Sequence, residues 1–249
     1  MFTKIKTEQE IENIRVSGQM LASVLKYLQP LVVPGITTKE LADNAATELK
    51  KLGGKPAFLG YGGFPDVICI SLNDEVVHGI PGNDEIQDGD LVSLDFGVNY
   101  NGMITDAAIT VIAGESSGTT RKLVKGTEEA LMAAIQVVKD GVKTGDIGAA
   151  AEKIMTQYGF GIVRDLVGHG VGHEVHEGPD IPNYGTAGSG QKLSKGMTIA
   201  IEPMSTLGSE QVVLDSDGWT VKTYDKSLSA HFEHTVLILE DTAEILTLL

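Results

Sequence analysis

The sequence predicts an α/β (α+β) architecture in which two similar halves, related by a pseudo-twofold axis, share an antiparallel sheet core beneath outer helices. Two observations predict it. The order helix, helix, strands occurs twice along the chain, and a set of glycines and apolar residues recurs at a constant offset. Shifting the chain by 106 residues lays Gly35, Thr38, Ala45 and Gly53 on Gly141, Thr144, Ala151 and Gly159. Conservative partners fall between them, namely Ile36/Val142, Leu41/Ile147 and Leu49/Met155. Further on, His78-Gly-Ile-Pro81 resembles His176-Glu-Gly-Pro179, and Gly89 stands six residues before Asp95 as Gly196 stands six before Glu202. The period is far longer than a solenoid repeat. It reads as one domain over residues 1–249, with halves of about 1–115 and 116–249.

Local signals justify each element in turn. Thr7 and Glu10 have capping-box spacing, and Ile11, Ile14, Leu21, Val24, Leu25 and Leu28 recur at helical intervals before Pro30. Thr37 and Glu40 open a second helix after Pro34-Gly35. Leu41, Ala45, Leu49 and Leu52 form its apolar stripe, and Gly53-Gly54 ends it. Strands are predicted over residues 67–72, 91–98 and 103–112. A third helix follows Gly118, carrying Leu123, Ala130, Leu131, Ala134 and Val138 to a break at Gly141. A fourth, with Ile147, Ala151, Ile154 and Met155, runs to Gly159, after which strands resume.

Composition narrows the function classes. A formal net charge of −15 makes the chain a poor candidate for gripping phosphates through a basic surface. The single Cys69 excludes an internal disulfide framework and a thiolate zinc site, and it fits a reducing compartment. Residues 1–18 alternate Lys and Glu with isolated apolar residues, unlike a signal peptide, and no run of about 18 apolar residues occurs. A soluble cytoplasmic protein with no membrane partner is expected.

The chemistry lies in acidic residues placed inside strands. Asn101-Gly102 is a two-residue hairpin signal. With those two as the turn, Tyr100 pairs with Met103, Gly97 with Asp106 and Asp95 with Ala108. Asp95 and Asp106 then become diagonal neighbours on one face, roughly 7–8 Å apart at Cα. Two carboxylates aimed at one point repel and are poorly solvated, so they protonate unless a cation sits between them. The second half supplies a matching pair. Glu202 ends the apolar run 198–201, and Glu233 lies in the alternating run 231–238. By the repeat Glu202 corresponds to Asp95, so the strand-end carboxylates converge across the axis. Four carboxylates at one locus call for about two divalent cations. All six histidines, His78, His169, His173, His176, His231 and His234, lie in or beside these motifs, although His173, His231 and His234 read as structural. Residues 168–179 are too Gly-rich for a helix and lack the spacing of a helical zinc motif. Imidazole and carboxylate without thiolate suits Mn, Fe, Co or Zn and does not select among them.

The ordered set His78, Asp95, Asp106, His169, His176, Glu202 and Glu233 resembles the type I methionine aminopeptidases, which have a pita-bread α/β fold. The surrounding runs match as well, at residues 73–81, 168–172, 201–204 and 217–220, and the likeness spans the chain from about Ile5 to Leu248. The resemblance implies a single catalytic domain with two cations held by Asp95, Asp106, His169, Glu202 and Glu233, of which Asp106 and Glu233 bridge. It implies Glu202 as the group that takes a proton from the attacking water, His176 as donor to the developing oxyanion, and His78 at the scissile nitrogen. A pocket for the methionine side chain would involve Tyr61, Phe64, Cys69 and Trp219. The reaction implied is removal of the N-terminal methionine when the second residue is small. The partners implied are peptide and nascent-protein N termini emerging from ribosomes, met by a monomer.

Two departures from the familiar bacterial pattern concern the pocket. Gly62 replaces a His and Val175 an aromatic residue, and both should enlarge it. The competing assignments are a peptidase of the same fold that cleaves before proline, and a peptide-binding module without catalysis. Only about 77 residues precede His78, too few for the extra N-terminal domain of the former, and all five ligands are kept, unlike the latter.

Overall fold

The computed structural model describes residues 2–248. Helix α1 (Glu8–Leu28) starts at the Thr7 capping box and α2 (Thr38–Leu52) at that of Thr37, where each Thr hydroxyl accepts from the N3 backbone and each Glu reaches back. After β1 (Lys55–Pro56), β2 (Cys69–Leu72) and β3 (Glu75–Val77) comes a long hairpin, β4 (Leu91–Tyr100) and β5 (Met103–Ile112). The second half opens with α3 (Gly118–Gln136) and α4 (Thr144–Tyr158). It continues through β6 (Gly161–Ile162), β7 (Gly168–Gly170), β8 (Glu177–Ile181), β9 (Thr198–Ile201) and β10 (Met204–Thr206). The last strands are β11 (Val212–Leu214), β12 (Val221–Thr223), β13 (Ser229–His231), β14 (Glu233–Ile238) and β15 (Ala243–Ile245). The third helix ends at Gln136, two residues before Val138, the last residue of its expected apolar stripe. Val138 is buried all the same, in the turn that follows.

One nine-stranded sheet carries the molecule, in the order β1-β4-β5-β14-β9-β7-β8, with β2 added on β4 and β15 on β14. All the pairings in it are antiparallel. Two apolar cores lie under its helices. The first joins α1 and α2 to Val92, Leu94, Phe96 and Val98 of β4, and the second joins α3 and α4 to β9 and β14. Burying each of these side chains contributes about 1.5–3 kcal/mol.

The internal repeat is visible in hydrogen bonds. Gly35 and Gly141 both take positive φ at the entry to a helix, 94° and 81°. Gly35 N donates to Ile86 O and Ile86 N to Ile36 O. Gly141 N likewise donates to Leu193 O and Leu193 N to Val142 O. No described helix is long and apolar enough to cross a membrane.

Because Thr37 sits at an exposed helix start, Thr37→Ala should lower stability by about 1 kcal/mol with an unchanged urea m-value. An unaltered midpoint in urea would show that the α2 cap is idle.

Candidate metal centre

Strand alternation builds the site. On β4 the residues 92, 94, 96 and 98 face the helices, which turns Ser93, Asp95 and Gly97 to the opposite face. The same parity holds on β5, where Ala107 and Ile109 face the helices and Asp106 and Ala108 do not. It holds too on β9 and β14, whose Ile199, Ile201, Val236 and Ile238 lie in the second core. The hairpin register is the one the Asn-Gly turn predicts, with Tyr100 opposite Met103, Gly97 opposite Asp106 and Asp95 opposite Ala108. Glu233 pairs with Ala108 from the other side. Ala200 pairs with both His169 and Thr235, and the Thr235 hydroxyl donates to the Asp106 carbonyl at 2.7 Å. Carrying the β9–β14 register one step past its His234–Ile201 pair sets Glu202 beside Glu233. Two adjacent rows across the sheet thus deliver ligands from both halves, with Ala108, Ala200 and Gly97 leaving the space between them open.

The cleft so formed is lined by Asp95, Asp106, His169, Glu202 and Glu233 together with His78 and His176. One ligand atom each from Asp106, His169 and Glu233 lie within 4.8 Å of one another. His169 Nε2 stands 3.5 Å from Glu202 Oε1 and 4.0 Å from Asp106 Oδ2. Asp95 Oδ1, Asp106 Oδ1 and Glu233 Oε1 are buried without a hydrogen-bond partner. Acceptor oxygens that converge in a buried cleft with no donor are unsatisfied unless cations complete them, so these residues fit divalent metal ions. Oxygen and imidazole donors without thiolate are compatible with Mn, Fe, Co or Zn.

Electrostatics separates the carboxylates. Burial pushes Asp95 up to about 7. Burial, followed by the charges of neighbouring carboxylates, lifts Asp106 and Glu233 well above the carboxylate range. Burial acts in the same direction on Glu202, but the imidazoles of His231 and His169 hold it below its ordinary value. Asp95, Asp106 and Glu233 are thus pushed toward the neutral form unless a cation joins them, while Glu202 is shifted in the opposite direction. Burial, reinforced by His169, lowers His176 to about 4, and burial also lowers His78.

The sequence reading missed His231. Its ring is buried, its Nε2 lies 3.5 Å from Glu202 Oε2, and neither ring nitrogen finds a hydrogen-bond partner. The signal was its spacing of two residues before Glu233, which is strand parity. His234 is structural, as expected, with Nδ1 2.9 Å from Thr247 Oγ1.

Beside the carboxylates the cleft has an apolar wall. Phe64 and Trp219 meet edge to face at 5.2 Å, and Phe58, Cys69 and Val175 pack with them. Burial raises the Cys69 thiol well above its usual range, so it serves as a small apolar group. Tyr61 also lines the cleft, its hydroxyl 3.0 Å from His176 Nδ1. Phe58 was not foreseen; it lies over Gly97, where a Cβ would come within 2.5 Å of its ring. Val175 borders the cleft as expected. Gly62 does not, because it stands behind Trp219, where a Cβ would lie 3.2 Å from Trp219 Cη2.

A two-halved fold with a buried carboxylate and imidazole cleft fits a metal-dependent protein. The chain belongs to metallopeptidase family M24, whose family model matches residues 12–240. A methionine aminopeptidase of Aquifex aeolicus is 47% identical over 99% of each chain. The crystal structure of methionine aminopeptidase from Thermotoga maritima superposes with a TM-score of 0.98, at 46% identity and with both chains fully covered. Prolidase from Pyrococcus furiosus gives a TM-score of 0.80 at 28% identity, and this chain spans only 65% of it. The protein is a metal-dependent hydrolase of the aminopeptidase class.

Raised carboxyl pKa values in the folded metal-free protein give stability that is present at low pH and lost as pH climbs through the folded values. For Asp95 that window runs from its ordinary 3.8 to about 7. Chelated protein should therefore melt at a lower temperature at about pH 8 than at about pH 5.5, and added Mn²⁺ should close the gap. A chelated melt that rises over this interval would contradict the assignment.

Proposed function

We propose that this chain removes the N-terminal methionine from peptides and nascent proteins whose second residue is small, in the cytoplasm, as a monomer. Asp95, Asp106, His169, Glu202 and Glu233 would hold two divalent cations, which supply Lewis acidity and make water nucleophilic near neutral pH. Glu202 lines the cleft with its two oxygens 3.5 Å from His169 Nε2 and 3.5 Å from His231 Nε2, and there it would take the proton of the attacking water and pass it to the leaving amine. Neutral His176 donates to the carbonyl oxygen as that oxygen becomes an anion. The Tyr61 hydroxyl lies 3.0 Å from His176 Nδ1, and by donating there it would leave the ring proton on Nε2. His78 borders the same cleft and would contact the scissile nitrogen. The methionine side chain enters the wall of Phe58, Phe64, Cys69, Val175 and Trp219, where a thioether gains sulfur–aromatic contacts.

The observation that carries this reading is geometric: Asp95, Asp106, His169, Glu202 and Glu233 line one cleft, and Asp95 Oδ1, Asp106 Oδ1 and Glu233 Oε1 are buried in it without a hydrogen-bond partner. Such a donor set supports a metal centre with a carboxylate at its edge. The alternative of cleavage before proline is weakened by identity, 28% to the prolidase against 46% to the methionine aminopeptidase of Thermotoga maritima.

Glu202→Gln should reduce kcat on Met-Ala-Ser by about 10²–10⁴-fold while leaving the circular dichroism spectrum unchanged. Near-wild-type turnover in that variant would remove Glu202 as the base. Side-by-side assay of Met-Ala-Ser, Leu-Ala-Ser and Met-Pro should show hydrolysis of Met-Ala-Ser above all. Turnover confined to Xaa-Pro substrates would overturn the methionine assignment.

A further inference from the structure

The segment ahead of α1 crosses to the second half and runs along the loop that carries His176. Phe2 forms a parallel bridge with Gly178, Thr3 N donates to Gly178 O at 2.6 Å, and Lys6 N donates to Gly196 O at 2.8 Å. Two glycines of the 168–172 run admit this segment. A Cβ on Gly170 would lie 2.8 Å from Thr3 Cβ, and one on Gly172 would lie 2.5 Å from Lys6 Cε. The Lys6 side chain is 0% exposed. Its ammonium donates to Thr3 Oγ1 at 2.8 Å, to Lys4 O at 3.1 Å and to Glu177 Oε2 at 3.5 Å. All three of its donors are used. The other Glu177 oxygen accepts from the backbone N–H groups of His173 at 2.8 Å and Glu174 at 3.1 Å, in the turn just before His176. On the outer side of that turn, His173 Nε2 lies 2.8 Å from Glu10 Oε1 in the first turn of α1.

None of these groups lines the cleft. A buried ion pair is a poor source of net stability, since an apolar pair of the same volume does as well. What this one provides is a fixed location for Glu177, and Glu177 ties down the turn on which His176 is the preceding residue.

We infer that residues 3–10 form a positioning strap, in which Lys6 through Glu177 and Glu10 through His173 hold the 173–177 turn and so fix the His176 ring at the reacting centre. Lys6, Glu10, His173 and Glu177 are positioning residues. The inference rests on the oxyanion role proposed for His176.

The test compares His173→Ala, His173→Gln and the volume-matched pair Lys6→Met/Glu177→Met in the full-length, metal-loaded enzyme. His173→Ala breaks a half-exposed contact and leaves no buried charge, so it decides the matter even if the double variant does not fold. It should lower kcat on Met-Ala-Ser by about tenfold, with KM and the divalent-cation affinity from calorimetry each within about twofold. His173→Gln, which keeps a donor for Glu10, should recover most of the loss, and Lys6→Met/Glu177→Met should lose at least as much as His173→Ala. A group that acts through His176 has nothing left to position once that ring is gone, so His173→Ala should cost nothing further in a His176→Ala background. Unchanged kcat in His173→Ala, an equal loss in the His176→Ala background, or a parallel loss of metal affinity would each overturn the strap. Should His176→Ala itself keep full activity, the oxyanion assignment fails, and the strap with it, whatever the other variants do.

Discussion

Negative charge gathered out of water is the constraint on which the rest of the structure depends. Asp95, Asp106 and Glu233 come from three neighbouring strands of one sheet, and their unpartnered oxygens face a common space that no protein donor fills. Such an arrangement is tolerable only with protons or cations in it. The fold manages the cost by geometry. Each half brings its own apolar core, which packs the helices onto the outer sheet face. The inner face is thereby free to hold groups that would destabilise a smaller protein.

The imidazoles extend the same logic. His169 and His231 flank Glu202 and lower its pKa, while burial lowers that of His176 to about 4. Side chains of the same type are thus set apart by their surroundings alone. The apolar wall beside them stands on the hairpin as well, because Cys69 pairs with Asp95 and Phe58 rests on Gly97.

Much of this was legible in the sequence, for identifiable reasons. The hairpin register followed from Asn101-Gly102 and from the period of two in the flanking runs, and it is the observed one. The first two helices followed from Thr7/Glu10 and Thr37/Glu40, whose capping boxes form as expected. Other features had no local signature. Lys6 lies in a stretch of alternating Lys and Glu that reads as a solvated surface, and its partner Glu177 is 171 residues away. His231, like His173 and His234, reads from the sequence as structural. Its neighbour Glu202 belongs to another strand, and only the tertiary fold brings the two together. Val138 extended the apolar periodicity of α3 past its real end, since a buried residue in a turn looks the same to a pattern as one in a helix.

The β4–β5 ladder has a consequence for how this chain can vary. Its pairing is unbroken from Leu91–Ile112 to Tyr100–Met103, and the connection is two residues long. A one-residue slip of that ladder would rotate Asp106 away from Asp95, into the packing under α1. Length change at the tip thus acts on the ligand pair unless a bulge absorbs it, whereas a residue added between β10 and β11 lies outside every strand of the large sheet. Among natural descendants of this chain, insertions should accumulate in the latter segment and be purged from the former, even though both are exposed turns.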